Sequence, residues 1–110
     1  MGKKRSDLLH GTLELLVLKL LEREPMNGYA IGQRIRLITD EMLTVDEGSL
    51  YPALYRMERR GWLASSWGTS VNNRRAKFYR ISATGRKQLG AETENWVDFS
   101  EAVTKILGSA

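Results

Sequence analysis

Two clusters of side chains in this 110-residue chain have the types and spacing to do chemistry, and that chemistry is contact with phosphates and base edges. Laid on a helix at 100° per residue, Asp46–Gly61 puts Ser49, Pro52, Tyr55, Arg56 and Arg59 on one face. Leu50, Ala53, Leu54 and Met57 fall on the opposite face, with Gly61 continuing it. Gly48 lies on the polar side at the first turn, where its missing side chain lets a partner's backbone come close. A hydroxyl, a phenol and two guanidinium groups on a rigid rod suit a DNA major groove. Tyr51 lies on the flank of this helix, able to serve core or DNA. The second cluster is Arg74, Arg75, Lys77 and Arg80, at the end of and just after the polar run Gly68–Arg74. A plain surface helix with solvated charges is the competing reading of the first cluster. The flanking sequence decides against it.

Other chemistries lack their residues. No Gly-rich phosphate loop, paired metal-ligand spacing or nucleophile–base pattern occurs. The chain has one histidine and no cysteine, which removes disulfides, zinc-thiolate sites and the usual triads. His10, in a leucine-rich stretch, reads as packing or capping. No catalytic residue, metal or cofactor is expected. Seventeen Lys and Arg against thirteen Asp and Glu give a net charge of +4, an excess that matters only where it clusters. Lack of cysteine fits a reducing cytoplasm.

Met1–Arg5 is a short basic tail; Met1-Gly2-Lys3-Lys4-Arg5-Ser6 fits an N-myristoylation pattern, but a basic arm is the favoured reading and no membrane partner is expected. Leu8–Glu22 is a leucine-dense helix, apolar nearly all round and too short to span a bilayer. A helix of this kind is wrapped on more than one side, and a second subunit is one such wrapping. Asn27 caps a second helix running to about Thr39, with Ile31, Ile35 and Ile38 at core spacing. Met42–Val45 is expected to be extended. Asp46 or Ser49 caps the third helix; Pro52 is tolerable only in the first turns, which favours the later cap or an irregular start.

After Gly61 the period changes. Trp62–Trp67 and Arg75–Ile81 read as two strands around the loop Gly68–Arg74, whose Asn73 and glycine accept positive φ. Ser82 or Thr84 begins a last helix to about Leu107. Leu89, Trp96 and Val103 recur by sevens, with Phe99 and Ile106 offset by three and Glu92 the weak member of this seam. A terminal seam must fold back on the domain or meet another subunit.

Three helices and a two-stranded wing are the winged helix-turn-helix order, so the fold class expected is mainly α with a small β-hairpin. In that order and spacing the chain resembles the PadR family of transcriptional regulators over about Leu8–Leu107. The resemblance is carried by Leu8-Leu9 and Gly11-Thr12-Leu13, by Gly28-Tyr29 with Ile31, and by Gly48-Ser49-Leu50-Tyr51-Pro52-Ala53-Leu54. Met57-Glu58, Gly61-Trp62-Leu63, Asn73-Arg74-Arg75-Ala76-Lys77-Phe78-Tyr79 and Thr84-Gly85 complete it. Asn27 stands where many relatives carry histidine.

The resemblance implies a bacterial, cytoplasmic, homodimeric repressor on a palindromic operator. Residues 6–82 would form the DNA-binding domain and 83–107 the dimerisation helix, with flexible ends at 1–5 and 108–110. Its DNA contacts would be Tyr29, Gly48, Ser49, Tyr51, Pro52, Tyr55, Arg56, Arg59, Asn73, Arg74, Arg75 and Lys77. Its dimer interface would hold Leu13, Val17, Leu89, Trp96, Phe99, Val103 and Ile106. Some members respond to flat aromatic ligands near the dimer interface, which makes Trp96 a ligand candidate, although a core role is favoured for it. The alternative is a winged-helix module that binds protein through the same helix face.

Overall fold

The apolar face of Asp46–Gly61 is the seed of the core. In the computed structural model, which describes residues 12–109, Ala53, Leu54 and Met57 have no exposed surface and Leu50 almost none. They pack with Leu13, Val17, Leu18 and Leu21 of α1 (Leu13–Leu21), and with Ile31 and Ile35 of α2 (Gly28–Ile38). The helix that carries them is α3 (Glu47–Arg59). Four helices and a three-stranded antiparallel sheet make up the described residues, in the winged-helix order. Leu8, Leu9, His10 and the basic tail lie outside the described residues, so the expected N-terminal part of the leucine helix is not among them.

The caps explain where α2 and α3 begin. The Ala30 N–H donates to Asn27 Oδ1 at 2.8 Å, and the Ser49 N–H to Asp46 Oδ1 at 2.8 Å. The earlier of the two candidate caps therefore starts α3, and Pro52 sits inside the helix at its sixth residue. Having no N–H, Pro52 leaves the Gly48 carbonyl without its intrahelical donor, on a solvent-facing first turn where water can replace it. That exposure is why the later cap is not needed.

Both helices stop in the same way. At the end of α3, Gly61 has φ +81°, its N–H donates to the Glu58 carbonyl at 3.0 Å, and the Trp62 N–H to the Met57 carbonyl at 3.0 Å. Gly61 is thus a left-handed stop beyond the helix, not a continuation of its core face. Asp40 does the same for α2 with φ 51°, followed by Glu41 at φ 65°. The Glu41 N–H reaches the Arg36 carbonyl at 2.7 Å. This turn, with Thr39 Oγ1 accepting from the Leu43 N–H at 3.1 Å, makes Met42–Val45 irregular rather than a strand.

The wing pairs β2 (Leu63–Thr69) with β3 (Arg75–Ile81) from Leu63↔Ile81 to Thr69↔Arg75. Gly68, expected in the loop, lies in β2, where a side chain would press on the Phe78 ring. A two-residue β1 (Met26–Asn27) adds to the other edge of β3, in register Met26↔Tyr79, and anchors the wing's base beside the start of α2. Its shortness hides it from any periodicity.

The last helix, α4 (Ala83–Gly108), starts at the Ser82 cap, whose Oγ accepts from the Gly85 N–H at 3.0 Å. Gly108, expected in a flexible end, is helical and Ser109 caps it. Gly85 and Leu89 are buried, whereas from Thr93 onward every described residue except Ser100 is exposed. A Cβ at Gly85 would collide with the Trp62 carbonyl oxygen, while Gly90, on the same helix, faces open space. Gly85→Ala should therefore destabilise the fold by about 1–3 kcal/mol, against the usual helical preference for alanine. Gly90→Ala should stabilise it by about 0.5–1 kcal/mol. Urea midpoints moving in opposite directions are the expected result.

Candidate nucleic-acid interface

Burial of Leu50, Ala53, Leu54 and Met57 turns the opposite face of α3 to solvent. Gly48, Pro52, Tyr55, Arg56 and Arg59 are exposed there and Ser49 is half-exposed. Arg59 lies over the Tyr55 ring at 5.7 Å from its centre and has no carboxylate within ion-pair distance among the described residues. Arg56 differs. Its Nη2 is 3.6 Å from Glu14 Oε2 on α1, and the Arg60 Nη1 is 3.6 Å from the same oxygen. Helical spacing alone groups Arg56 with Arg59; in space Arg56 leans towards the flank held by Glu14.

Tyr51 joins α3 to α2. A Cβ at Gly28 would come within 2.5 Å of the Tyr51 ring, so only glycine lets the ring lie against the first turn of α2. Tyr51 as a residue is still 43% exposed. Burial, then the charge of Glu47, pushes the phenol above its ordinary pKa. It serves core and surface together.

On the wing, alternation along β3 puts Arg75, Lys77 and Tyr79 on one face and Arg80 with Phe78 on the other. Arg80 is accordingly separate from the basic cluster in which the sequence grouped it. Arg75 stacks on the Trp67 ring at 4.3 Å from its centre, a cation–π contact that holds the guanidinium beside the indole with N–H edges free. Asn73, at φ 61°, makes the turn: its N–H donates to the Ser70 carbonyl at 2.9 Å. Lys77 reaches back to α3. Its Nζ is 3.2 Å from Glu58 Oε1, and that hydrogen bond raises its pKa. The hydrogen bond from Ser65, then Lys77, lowers that of Glu58.

Between the start of α2 and the wing lies an open cleft of about 820 Å³. Tyr29, Tyr51, Arg74, Arg75 and Lys77 of the expected DNA-contacting set line it; Gly48, Ser49, Pro52, Tyr55, Arg56, Arg59 and Asn73 do not. Two residues that the sequence reading passed over line it too, Trp67 and Arg34. Arg34 belongs to a helix whose signal in the sequence is its isoleucines, and Trp67 ends an expected strand. Their signal is the exposure of an arginine and an indole beside the basic wing, which only the fold reveals.

The set expected at a subunit interface divides. Leu13, Val17 and Leu89 are enclosed by this chain's own core, since α1 lies against the other helices and the first turns of α4 fold back on it. They retain almost no surface for a partner. Trp96, Phe99, Val103 and Ile106 remain exposed, with the Trp96 and Phe99 ring centres 6.2 Å apart.

The model of the transcriptional regulator PadR-like family matches residues 17–91, spanning α1 to the first turns of α4. This chain belongs to that family. A PadR-family transcriptional regulator from Eggerthella lenta superposes with a TM-score of 0.79 at 33% identity, over 94% of this chain and 88% of that one. A transcriptional regulator from Clostridium thermocellum gives 0.82 at 32% identity, over 91% and 97%. A PadR-like regulator from Bacillus cereus gives 0.80 at 27% identity, over 96% and 100%. An uncharacterised protein from Lysinibacillus sphaericus is 27% identical over 90% of this chain and 91% of its own length.

Within this PadR-like chain the two arginines of α3 should differ. Arg59→Ala is expected to cost on the order of 1–3 kcal/mol on a preferred duplex, if its guanidinium meets a base edge. Arg56→Ala should cost less than Arg59→Ala, because the Arg56 guanidinium is already turned towards Glu14. Fluorescence anisotropy titration of both variants on the same duplex measures the difference.

Proposed function

We propose that this chain is a sequence-specific DNA-binding repressor of the cytoplasm that acts as a homodimer on a palindromic site. The observation that carries the reading is the pairing of a solvent-facing α3 surface, with Arg59 free of carboxylates among the described residues, with a cleft bordered by Arg34, Arg74 and Arg75. α3 lies in the major groove, where Ser49, Tyr55 and Arg59 face base edges and Gly48 and Pro52 permit close approach. Tyr29, Tyr51, Arg34 and the wing's Arg74 and Arg75 hold the flanking backbone. Among the described residues no helix is long and apolar enough to cross a membrane.

The dimer reading rests on the outer part of α4. Trp96, Phe99, Val103, Ile106 and Leu107 are exposed along it, a longer apolar stripe than a solitary helix usually presents to water. Each contributes about 1.5–3 kcal/mol if fully buried, so ten across two chains exceed the association cost of roughly 4–15 kcal/mol. Leu15, Leu16 and Leu20 on α1 are only partly buried against the core, which leaves apolar surface on that helix as well. A small aromatic effector would stack on Trp96 beside Phe99.

Two measurements test the two halves. Arg74→Ala and Arg75→Ala should each flatten the slope of log affinity against log salt by roughly one unit. Unchanged slopes in both remove the wing from DNA, and shallow salt dependence of the unaltered chain returns the protein-binding reading. Sedimentation should find two chains per particle at tens of micromolar, and truncation after Gln88, which also removes Leu89 from the core, should leave a monomer or a poorly folded domain with affinity near non-specific levels. A full-length monomer refutes the dimer and the palindrome with it.

A further inference from the structure

One carboxylate ties the reading helix to both strands of the wing. Glu58 Oε2 accepts from Ser65 Oγ on β2 at 2.6 Å, and its Oε1 lies 3.2 Å from Lys77 Nζ on β3. Ser65 and Lys77 lie on the same face of the hairpin, because Ser65 is paired with Tyr79, two residues along from Lys77. Lys77 also lies 5.5 Å above the Tyr79 ring, and Tyr79 is buried in the core. The ammonium is therefore held between a carboxylate and an aromatic face, an arrangement that Arg74 lacks. Glu58 is the last acidic residue of α3, one turn after Leu54 and beside the fully buried Met57, so its backbone cannot shift without disturbing the core.

Two bonds to one rigid anchor constrain a two-stranded ribbon far more than either alone. A hairpin joined to its domain only at the base can swing at its tip; Glu58 holds it midway along both strands, at Ser65 and Lys77. We propose that Glu58 is a positioning residue that fixes the angle of the wing to α3, so that both meet one stretch of DNA together, and that Lys77 is a strut of this clamp rather than a phosphate contact. The proposal rests on the DNA-binding reading above and takes Lys77 out of the DNA contacts expected from the sequence. The opposite pKa displacements of Glu58 and Lys77 agree with a charged pair. The neighbouring cations of the wing are held differently. Arg75 is on Trp67, and Arg74 is engaged through its main chain, its N–H donating to Ser70 Oγ at 3.3 Å.

The test compares Glu58→Gln, Lys77→Met and the charge-exchanged double variant Glu58→Lys/Lys77→Glu with the unaltered chain. Affinity is read on a duplex selected from a random pool and on a random duplex, across salt concentrations. Amide exchange is followed for residues 63–81. Both single variants should lose on the order of three- to tenfold in preference for the selected duplex and exchange faster in the wing, with an unchanged salt slope. The exchanged pair can remake both bonds, since a lysine at 58 can donate to Ser65 Oγ and to the carboxylate at 77. It should recover part of the preference and slow exchange relative to either single variant, the contact of the ammonium with the Tyr79 ring being lost. A Lys77→Met slope flatter by about one unit marks Lys77 as a phosphate contact and overturns the proposal. So does a double variant no better than the singles. A selected duplex whose preference survives Glu58→Gln, with wing exchange unchanged, overturns the clamp alone; an unaltered chain that selects no duplex overturns the DNA reading and the clamp's role in it.

Discussion

The close approach of Gly85 to the Trp62 carbonyl fixes how the parts of this protein stand to one another. Three segments meet there: the left-handed stop after α3, the start of β2 and the first turn of α4. Ser82 binds them from both sides, its N–H donating to the Trp62 carbonyl at 3.0 Å and its Oγ to the Gly61 carbonyl at 2.5 Å. With no side chain at 85, α4 enters against the turn that ends α3. The direction of α4 is therefore set from the end of α3 by short bonds rather than by a loop. If α4 pairs with its counterpart in a second chain, this junction carries the dimer geometry to both reading helices.

Charge is distributed so that many cations are answered within the chain. Glu14 faces Arg56 and Arg60, Glu41 faces Arg36, Glu22 faces Lys19, and Glu58 faces Lys77. These solvent-exposed and partly exposed pairs contribute little to stability individually, because water screens them and ordering two long side chains costs entropy. Their consequence lies in what they leave over. Arg34, Arg59, Arg74 and Arg75 are among the cations with no ion-pair partner among the described residues, and three of these four border the cleft. Net charge alone does not locate them. Setting aside the internally paired cations, and asking which of the rest share a surface, does.

Most of the architecture was legible because its signals are local. The apolar period of α3, the Asn27 cap, the strand–loop–strand alternation and the Ser82 cap each need only a few neighbouring residues. What escaped depends on distant ones. The two-residue β1 exists only because β3 offers it an edge, and the early cap of α3 is possible only because the Gly48 carbonyl faces water. Leu13, Val17 and Leu89 carry the same apolar signature whether a neighbouring helix or a second subunit covers them, so pattern could not separate core from interface. Arg56 and Lys77 looked free because Glu14 and Glu58 reach them through space, 42 and 19 positions away in the chain. The family resemblance, by contrast, rested on an order of short motifs across the chain, and the match over residues 17–91 agrees with it.

In the proposed dimer two copies of α3, one from each chain, enter successive major grooves on one side of a duplex. Hydroxyl-radical footprinting on the duplex that the chain selects tests this most directly. Two symmetric protected zones are expected, centred about one helical turn apart, roughly 10 base pairs, each flanked by weaker protection from a wing. One asymmetric zone, or uniform protection without preferred centres, would contradict it.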